Sequence, residues 1–341
     1  MKILLLAAAT AASLLAVPPA QAHDATWQPR PTGVDVKLRA VSAVNAHVAW
    51  TSAGNSVLRT VDGGRSWRSV APADTADLDF RDVEAFDAWH AVVLAIGQGE
   101  ASRVYRTADG GRTWSLSFKN DDPAEFYDCM AFFDRFRGLA VSDTVDGRFR
   151  MVSTSDGGRS WQRVPQENFP PAVVGEFAFA ASGQCVSTAG PRDAWMAVSG
   201  GPIARVLHSG DGGRHWTVSD TPLPSSATTG AMAVAFRSPR QGVVVGGDYK
   251  NPTSRIAGLA WSGDGGATWT GPAQPPFGYR PGAAWWGDSV VVVGPTGSDL
   301  SRDGGRTWRS LDTGSFETVD CAGAVCWAAG EHGRVGLLSR R

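Results

Sequence analysis

Apolar and polar positions alternate along most of this chain in short runs, and the runs come in sets. In "LRAVSAVNAHVAWTSAGNSVLRTVDGG", beginning at Leu38, two alternating runs are followed by a third that enters an Asp-Gly-Gly turn. "FRDVEAFDAWHAVVLAIGQGEASRVYRTADGG", beginning at Phe80, repeats that order. Alternation with a period of two is the mark of a half-buried β-strand. The run after each turn, "RSWRSV" or "RTWSLS", predicts a fourth strand. With 41 glycines and 20 prolines and no long run of helix formers, the chain is expected to be all-β, built from short strands and many turns.

The turn itself recurs six times, as "RTVDGGRSWRSV", "RTADGGRTWSLS", "STSDGGRSWQRV", "HSGDGGRHWTVS", "WSGDGGATWTGP" and "LSRDGGRTWRSL". Its aspartates are Asp62, Asp109, Asp156, Asp211, Asp264 and Asp303, at intervals of 47, 47, 55, 53 and 39 residues. A mean period of about 48 residues is the length of one four-stranded propeller blade. The chemistry of the turn is local. The Asp accepts hydrogen bonds from backbone N–H groups ahead of it, the glycines take positive φ, and the Ser or Thr two residues earlier adds a further contact. The Trp is expected to pack over its own hairpin as a staple. One carboxylate per turn does not make a calcium loop, so these six aspartates are read as structural and no metal is expected.

Thr60-x-Asp62-x-Gly64-x-Ser66-Trp67 and its five counterparts resemble the Asp-box, or bacterial neuraminidase repeat, of the sialidase superfamily fold, which implies a β-propeller. The turns span residues 60–308. Six turns still predict seven blades. "FETVDCAGAVCWAAGEHGRVGLLSRR" (316–341) supplies three strand-like runs and no fourth, and "ATWQPR" (25–30) resembles the "ATWTGP" after the fifth turn. The N-terminal strand is therefore expected to complete the seventh blade and close the ring, removing open sheet edges. Trp27 should then stand where Trp67 and Trp114 stand. In architecture and turn sequence the chain is most similar to photosystem II stability/assembly factor-like exported proteins, in which the ring is a scaffold for a membrane-protein precursor and uses an arginine-rich patch. The resemblance implies a binding scaffold here, without the photosynthetic role.

Charge and targeting refine this picture. The formal net charge of -1 leaves no basic field for nucleic acid, and no nucleic-acid partner is expected. Residues 1–22, "MKILLLAAATAASLLAVPPAQA", have the basic start, apolar stretch and Ala-Gln-Ala ending of a cleaved signal peptide. The remainder, 23–341, is expected to be one propeller domain, periplasmic or secreted, monomeric, and without the roughly 18 continuous apolar residues of a membrane span. Four cysteines in an oxidising compartment allow three pairings. "CAGAVC" favours Cys321 with Cys326 across a short hairpin, leaving Cys129 with Cys185.

In a propeller the turns between third and fourth strands share a face with the loops between first and second strands. A site is therefore sought on the opposite face, at the starts of first strands and in the loops between second and third strands. The first set holds Arg39, Arg81, Asp82, Tyr127, Asp128, Glu176 and Arg280. The second holds Glu100, Asp143, Asp248, Tyr249, Lys250, Glu331 and His332. Arginines, tyrosines and carboxylates at one mouth suit an anionic or sugar-like ligand or a chain terminus, although the same residues also suit mutual pairing in a polar channel. The expected partner is an envelope protein client or a glycan. The sialidase pattern is missing where catalysis needs it: no Phe/Tyr-Arg-Ile-Pro motif precedes Asp62, and its one echo is Tyr279-Arg280-Pro281. The alternative is a carbohydrate-active enzyme, a glycoside hydrolase or polysaccharide lyase, using two carboxylates of the mouth or a Tyr. Motifs for serine hydrolases, zinc proteases, phosphate loops and dinucleotides are absent, and no cofactor is expected.

Overall fold

The computed structural model describes residues 25–339; the segment 1–22, expected to be a signal peptide, lies outside them. Seven antiparallel sheets follow one another around a ring. The innermost strands are Ala40–Ala43, Asp79–Ala85, Tyr127–Phe132, Val186–Ala189, Thr229–Phe236, Gly282–Trp286 and Thr318–Ala322. In the first blade Ala40–Ala43 is followed outward by Ala49–Ala53, Ser56–Thr60 and Arg68–Ser69, each paired with the strand before it. The hydrophobic clusters lie between consecutive sheets: Trp50, Val57, Phe80, Val93 and Tyr105, for example, join the first blade to the second. Strands whose two faces both meet neighbouring sheets lose the polar half of the alternation, so "AVVLAI" (91–96) is buried at every residue.

The ring closes as the terminal sequences predict. Thr318–Ala322, Val325–Ala329 and Val335–Ser339 form the seventh blade, and Gln28–Pro29 pairs on its outside, with Gln28 opposite Leu337 and Pro29 opposite Gly336. Trp27 packs on Phe316 and donates from Nε1 to Ser298 of the sixth blade. Trp114 likewise donates to the Val70 carbonyl of the first. The stapling is thus broader than expected from the hairpin alone. Trp216 and Trp308 bond their own turns, at Gly213 and Gly305, while Trp27, Trp114 and Trp269 tie one blade to its predecessor.

The fifth blade departs from four strands. Its sheet has three, and the run after its turn is reduced to a bridge between Trp261 and Thr270. "TGPAQPP" follows, and proline, which has no N–H and a fixed φ, cannot continue the ladder.

In the turns, Asp62 accepts from the Ser66 backbone at 3.0 Å and from the Ser66 hydroxyl at 2.6 Å, while Thr60 Oγ1 accepts from the Gly64 N–H at 2.9 Å. Gly63 and Gly64 have φ of 77° and 76°. The Ser66 hydroxyl and then its N–H hold the Asp62 carboxyl down at about 2.

Candidate functional site

The seven inner strands do not enclose an open bore. The connection from the third blade to the fourth, marked in the sequence by the 55-residue interval between Asp156 and Asp211, enters the centre of the ring. Arg81 of the second blade donates to the Ala180 carbonyl at 3.0 Å. Ser182 donates to the Pro281 carbonyl, Thr318 donates to the Ser182 carbonyl, and Gln184 donates to the carbonyls of Ala283 and Val319. Residues 180–184 therefore touch the second, sixth and seventh blades. The Cys129–Cys185 disulfide, Cα–Cα 6.0 Å, fastens the end of this plug to the inner strand of the third blade. The second disulfide, Cys321–Cys326, spans directly opposed residues of one hairpin.

Successive residues of the plug wall two cavities. The first, of about 470 Å³, opens on the face away from the aspartate turns and includes Lys37, Arg39, Phe179, Ala180, Ala181, Met232, Tyr249, Tyr279 and Glu317 in its wall. Glu317, almost wholly buried, receives Lys37 at 2.7 Å and Arg39 at 3.4 Å. Arg39 Nε is buried and has no hydrogen-bond partner. Burial, and then the Arg81 charge nearby, lower the Arg39 pKa from its ordinary value. Tyr249 is 41% exposed, lies edge-on to Phe179 and has the Lys250 ammonium over its ring. Burial, and then the Glu317 charge, push the Tyr279 hydroxyl well up, so this phenol remains neutral.

The second cavity, about 330 Å³, lies on the turn side of the plug. Ser42, Asp82, Glu84, Gln184 and Asp320 are among its polar lining, which contains no Lys, Arg or His. Asp82 accepts N–H bonds from Val83 and Met130, both at 2.7 Å; Asp320 accepts from Ala43 and Cys321, both at 2.8 Å. Enclosure raises all three carboxyls: Asp320 to about 6, and Asp82 and Glu84 well above the ordinary range, with the neighbouring acids adding to the rise.

Of the residues picked from the sequence, Arg39 and Tyr249 line the mouth cavity, and Arg81 stands beside it, paired with Asp79 at 2.8 Å. Asp248 caps its own loop by accepting from the Lys250 N–H. The others go elsewhere. Asp82 lines the turn-side cavity. Tyr127 is buried against Phe118. Asp128 is buried, its carboxyl pushed well up by burial and then by the Asp143 charge. Arg280 is 3% exposed and bound to Asp299, Thr296 and the Tyr279 carbonyl. Glu176 was expected at the entry of the fourth blade's inner strand, but that strand begins at Val186. Glu176 instead lies in the preceding connection, buried and held by Arg205 at 2.5 and 2.6 Å. Glu100, Glu331 and His332 pair with Lys119, Lys37 and Asp35. Missed were Lys37, Phe179, Met232, Tyr279 and Glu317. Glu317 stands just before the seventh inner strand, where the same positional rule finds it; Phe179 belongs to the plug, which has no counterpart in the other repeats.

The chain is thus a seven-bladed β-propeller with an internally plugged centre. No protein-family model matches the sequence, and no curated protein does. Among solved structures it is similar to YCF48 bound to D1 peptide, at 15% identity over 96% of this chain and 100% of that one, TM-score 0.64. It is also similar to YCF48 from Cyanidioschyzon merolae, at 16% identity over 92% and 99% of the two chains, TM-score 0.63. A third likeness is to the Niastella koreensis GH74 enzyme, at 14% identity over 91% of this chain and 53% of that chain, TM-score 0.61. At these identities the likeness is one of fold.

Proposed function

We propose that this protein is an exported, non-catalytic binding or assembly scaffold of the Asp-box type, which holds a protein segment or other anionic ligand in the mouth cavity opposite the aspartate turns. The observation that carries the reading is the mouth itself, where an apolar floor of Phe179, Met232 and Tyr279 meets Arg39, whose buried Nε lacks a partner, and the half-exposed Tyr249. Such a surface offers aromatic area and a guanidinium to one ligand. The structural likeness to YCF48 bound to D1 peptide supports a polypeptide client. Two disulfides and the segment 1–22 support export to the periplasm or medium.

The alternative, a carbohydrate-active enzyme, draws on the GH74 likeness. It asks for two carboxylates across a substrate cleft. The mouth cavity offers Glu317, already paired with Lys37, while Asp82, Glu84 and Asp320 stand behind the plug. This division favours the scaffold.

The test is capture from cell-envelope extract by residues 23–341, beside an Arg39→Ala/Tyr249→Ala variant of unchanged melting temperature. A client retained by the parent and lost by the variant is the expected result. Equal retention by both would remove the mouth from the mechanism, and retention by neither would return the enzyme reading to first place, to be pursued with a glycan-cleavage screen.

A further inference from the structure

On the face of the aspartate turns, two consecutive seams between blades are built from corresponding residues and differ in one respect. The loop "FDAWH" (86–90) of the second blade matches "FDRFR" (133–137) of the third. Asp87 caps the N–H groups of Trp89 and His90, and Asp134 caps those of Phe136 and Arg137. The Gly110 N–H bonds to the Trp89 carbonyl, as Gly157 does to that of Phe136. Arg59 and Arg106 occupy the same place ahead of successive turns, and Arg112 and Arg159 the same place within them.

In the first of these seams the space is filled. Arg59 lies 5.5 Å from the ring of Trp50 and 5.6 Å from that of Trp89, with Arg112 5.7 Å from Trp89. Arg59 also rests directly against Gly110. In the second seam no ring lies over Arg106 or Arg159 among the described residues. Phe136, a smaller ring exposed to a similar degree (55% against 48%), stands in Trp89's place, and Arg135 has replaced Ala88. What remains is a cleft of about 220 Å³, walled by Phe86, His90, Arg106, Arg135, Phe136 and Arg159. No carboxylate is in its lining. The acids at its edges are engaged: Asp87 with its own loop and Arg135, Asp156 with Thr154, Ser160 and the Arg159 N–H. Arg106 keeps its place through one bond, Nε to the Gly157 carbonyl at 3.0 Å. Burial, and then the Arg159 charge, lower its pKa from the ordinary value, so the two guanidiniums repel each other across the cleft.

We infer that the seam between the second and third blades is a binding site for an oxyanion carried on a flat apolar body, seated beside Phe136 in the space that the larger Trp89 ring and its arginines fill in the neighbouring seam. The flat body lies between the guanidiniums and against Phe136, as arginine accepts an aromatic face. The oxyanion, a carboxylate, phosphate or sulfate, takes the N–H groups of Arg106, Arg135 and Arg159 that the structure leaves open. The site is on the opposite face from the mouth and does not depend on the function proposed for it.

The probe is phenyl phosphate, with inorganic phosphate beside it, titrated calorimetrically into residues 23–341 at low salt. Phenyl phosphate is expected to bind, with inorganic phosphate about tenfold weaker. Arg159→Gln, an exposed position, should weaken phenyl phosphate by about tenfold or more. Phe136→Trp, which rebuilds the filled seam, should abolish binding without lowering the melting temperature. Arg65→Gln, the same place in the first turn, should leave it unchanged, and every titration is repeated in the Arg39→Ala/Tyr249→Ala background so that binding at the mouth is not counted. Absence of binding to the parent, or unchanged binding in both Arg159→Gln and Phe136→Trp, would overturn the assignment.

Discussion

Gly183 of the plug lies against Asp82 of the second blade so closely that a Cβ on the glycine would stand 2.6 Å from the Asp82 Oδ1. The glycine also has φ of +74°. Both facts point to a position where a side chain is excluded by neighbours as well as by backbone conformation.

Gly183→Ala is therefore expected to destabilise the protein by roughly 2–4 kcal/mol, combining left-handed strain with overpacking. Denaturant unfolding measures it. Gly54→Ala is the control: it also has positive φ, 53°, but nothing lies within 4 Å of its added Cβ. It should show the strain part alone.

The Cys129–Cys185 bond closes a separation of 56 residues and anchors the plug. Cys129→Ala/Cys185→Ala should cost about 4 kcal/mol by loop-closure entropy. Hydrogen exchange of residues 178–185 should rise before that of the inner strands. If protection fell uniformly around the ring, the bond would be serving the whole fold and not the plug.

The turn-side cavity predicts a pH dependence. Asp82, Glu84 and Asp320 have folded pKa values raised above their unfolded ones, so the native state binds more protons than the unfolded state from about pH 4 to beyond pH 6. The slope of unfolding free energy against pH is then negative in that window, and stability falls as pH rises. Glu84→Gln, which removes one of the three charges, should flatten the fall. Melting temperatures from pH 4 to 8 test this, and an unchanged slope would show that Glu84 is not part of the cluster's titration.

The turns act in the opposite sense. Asp62 and Asp109 are held at about 2, below their unfolded value, by the hydroxyl and N–H of Ser66 and Thr113. The stability they contribute is complete above about pH 4 and disappears as pH falls through about 2. Asp109→Ala should lower the melting temperature at pH 7, lose that difference at acid pH, and leave capture at the mouth intact. Capture lost in a folded Asp109→Ala protein would contradict the separation of the two faces.

The ring was legible in the sequence because its signals are local. An aspartate, two glycines of positive φ and a hydroxyl two residues earlier specify a turn without help from the rest of the molecule. "ATWQPR" betrayed its blade by likeness to "ATWTGP". Much of the site was hidden because its decisive element is irregular. The plug has no strand periodicity, its bonds go from side chains to distant carbonyls, and the long interval before Asp211 announced only that residues had been inserted. Glu176 and Arg280 show the other difficulty. Charge and rough position are visible in a sequence, but whether Arg205 and Asp299 are waiting beside them is not.

The closing of the seventh blade by Gln28 and Pro29 joins a strand that precedes the first blade along the chain to strands that follow the sixth. Until Phe316 and Val335–Ser339 have been made, the first six blades form an arc with two bare ends, and the Trp27 strand has nothing to pair with. Completion is therefore a single late event. A circularly permuted ring, opened at the exposed loop near Val174 and with residue 339 linked to residue 25, would carry its latch in the middle of synthesis and would seal this gap before the remaining blades were made.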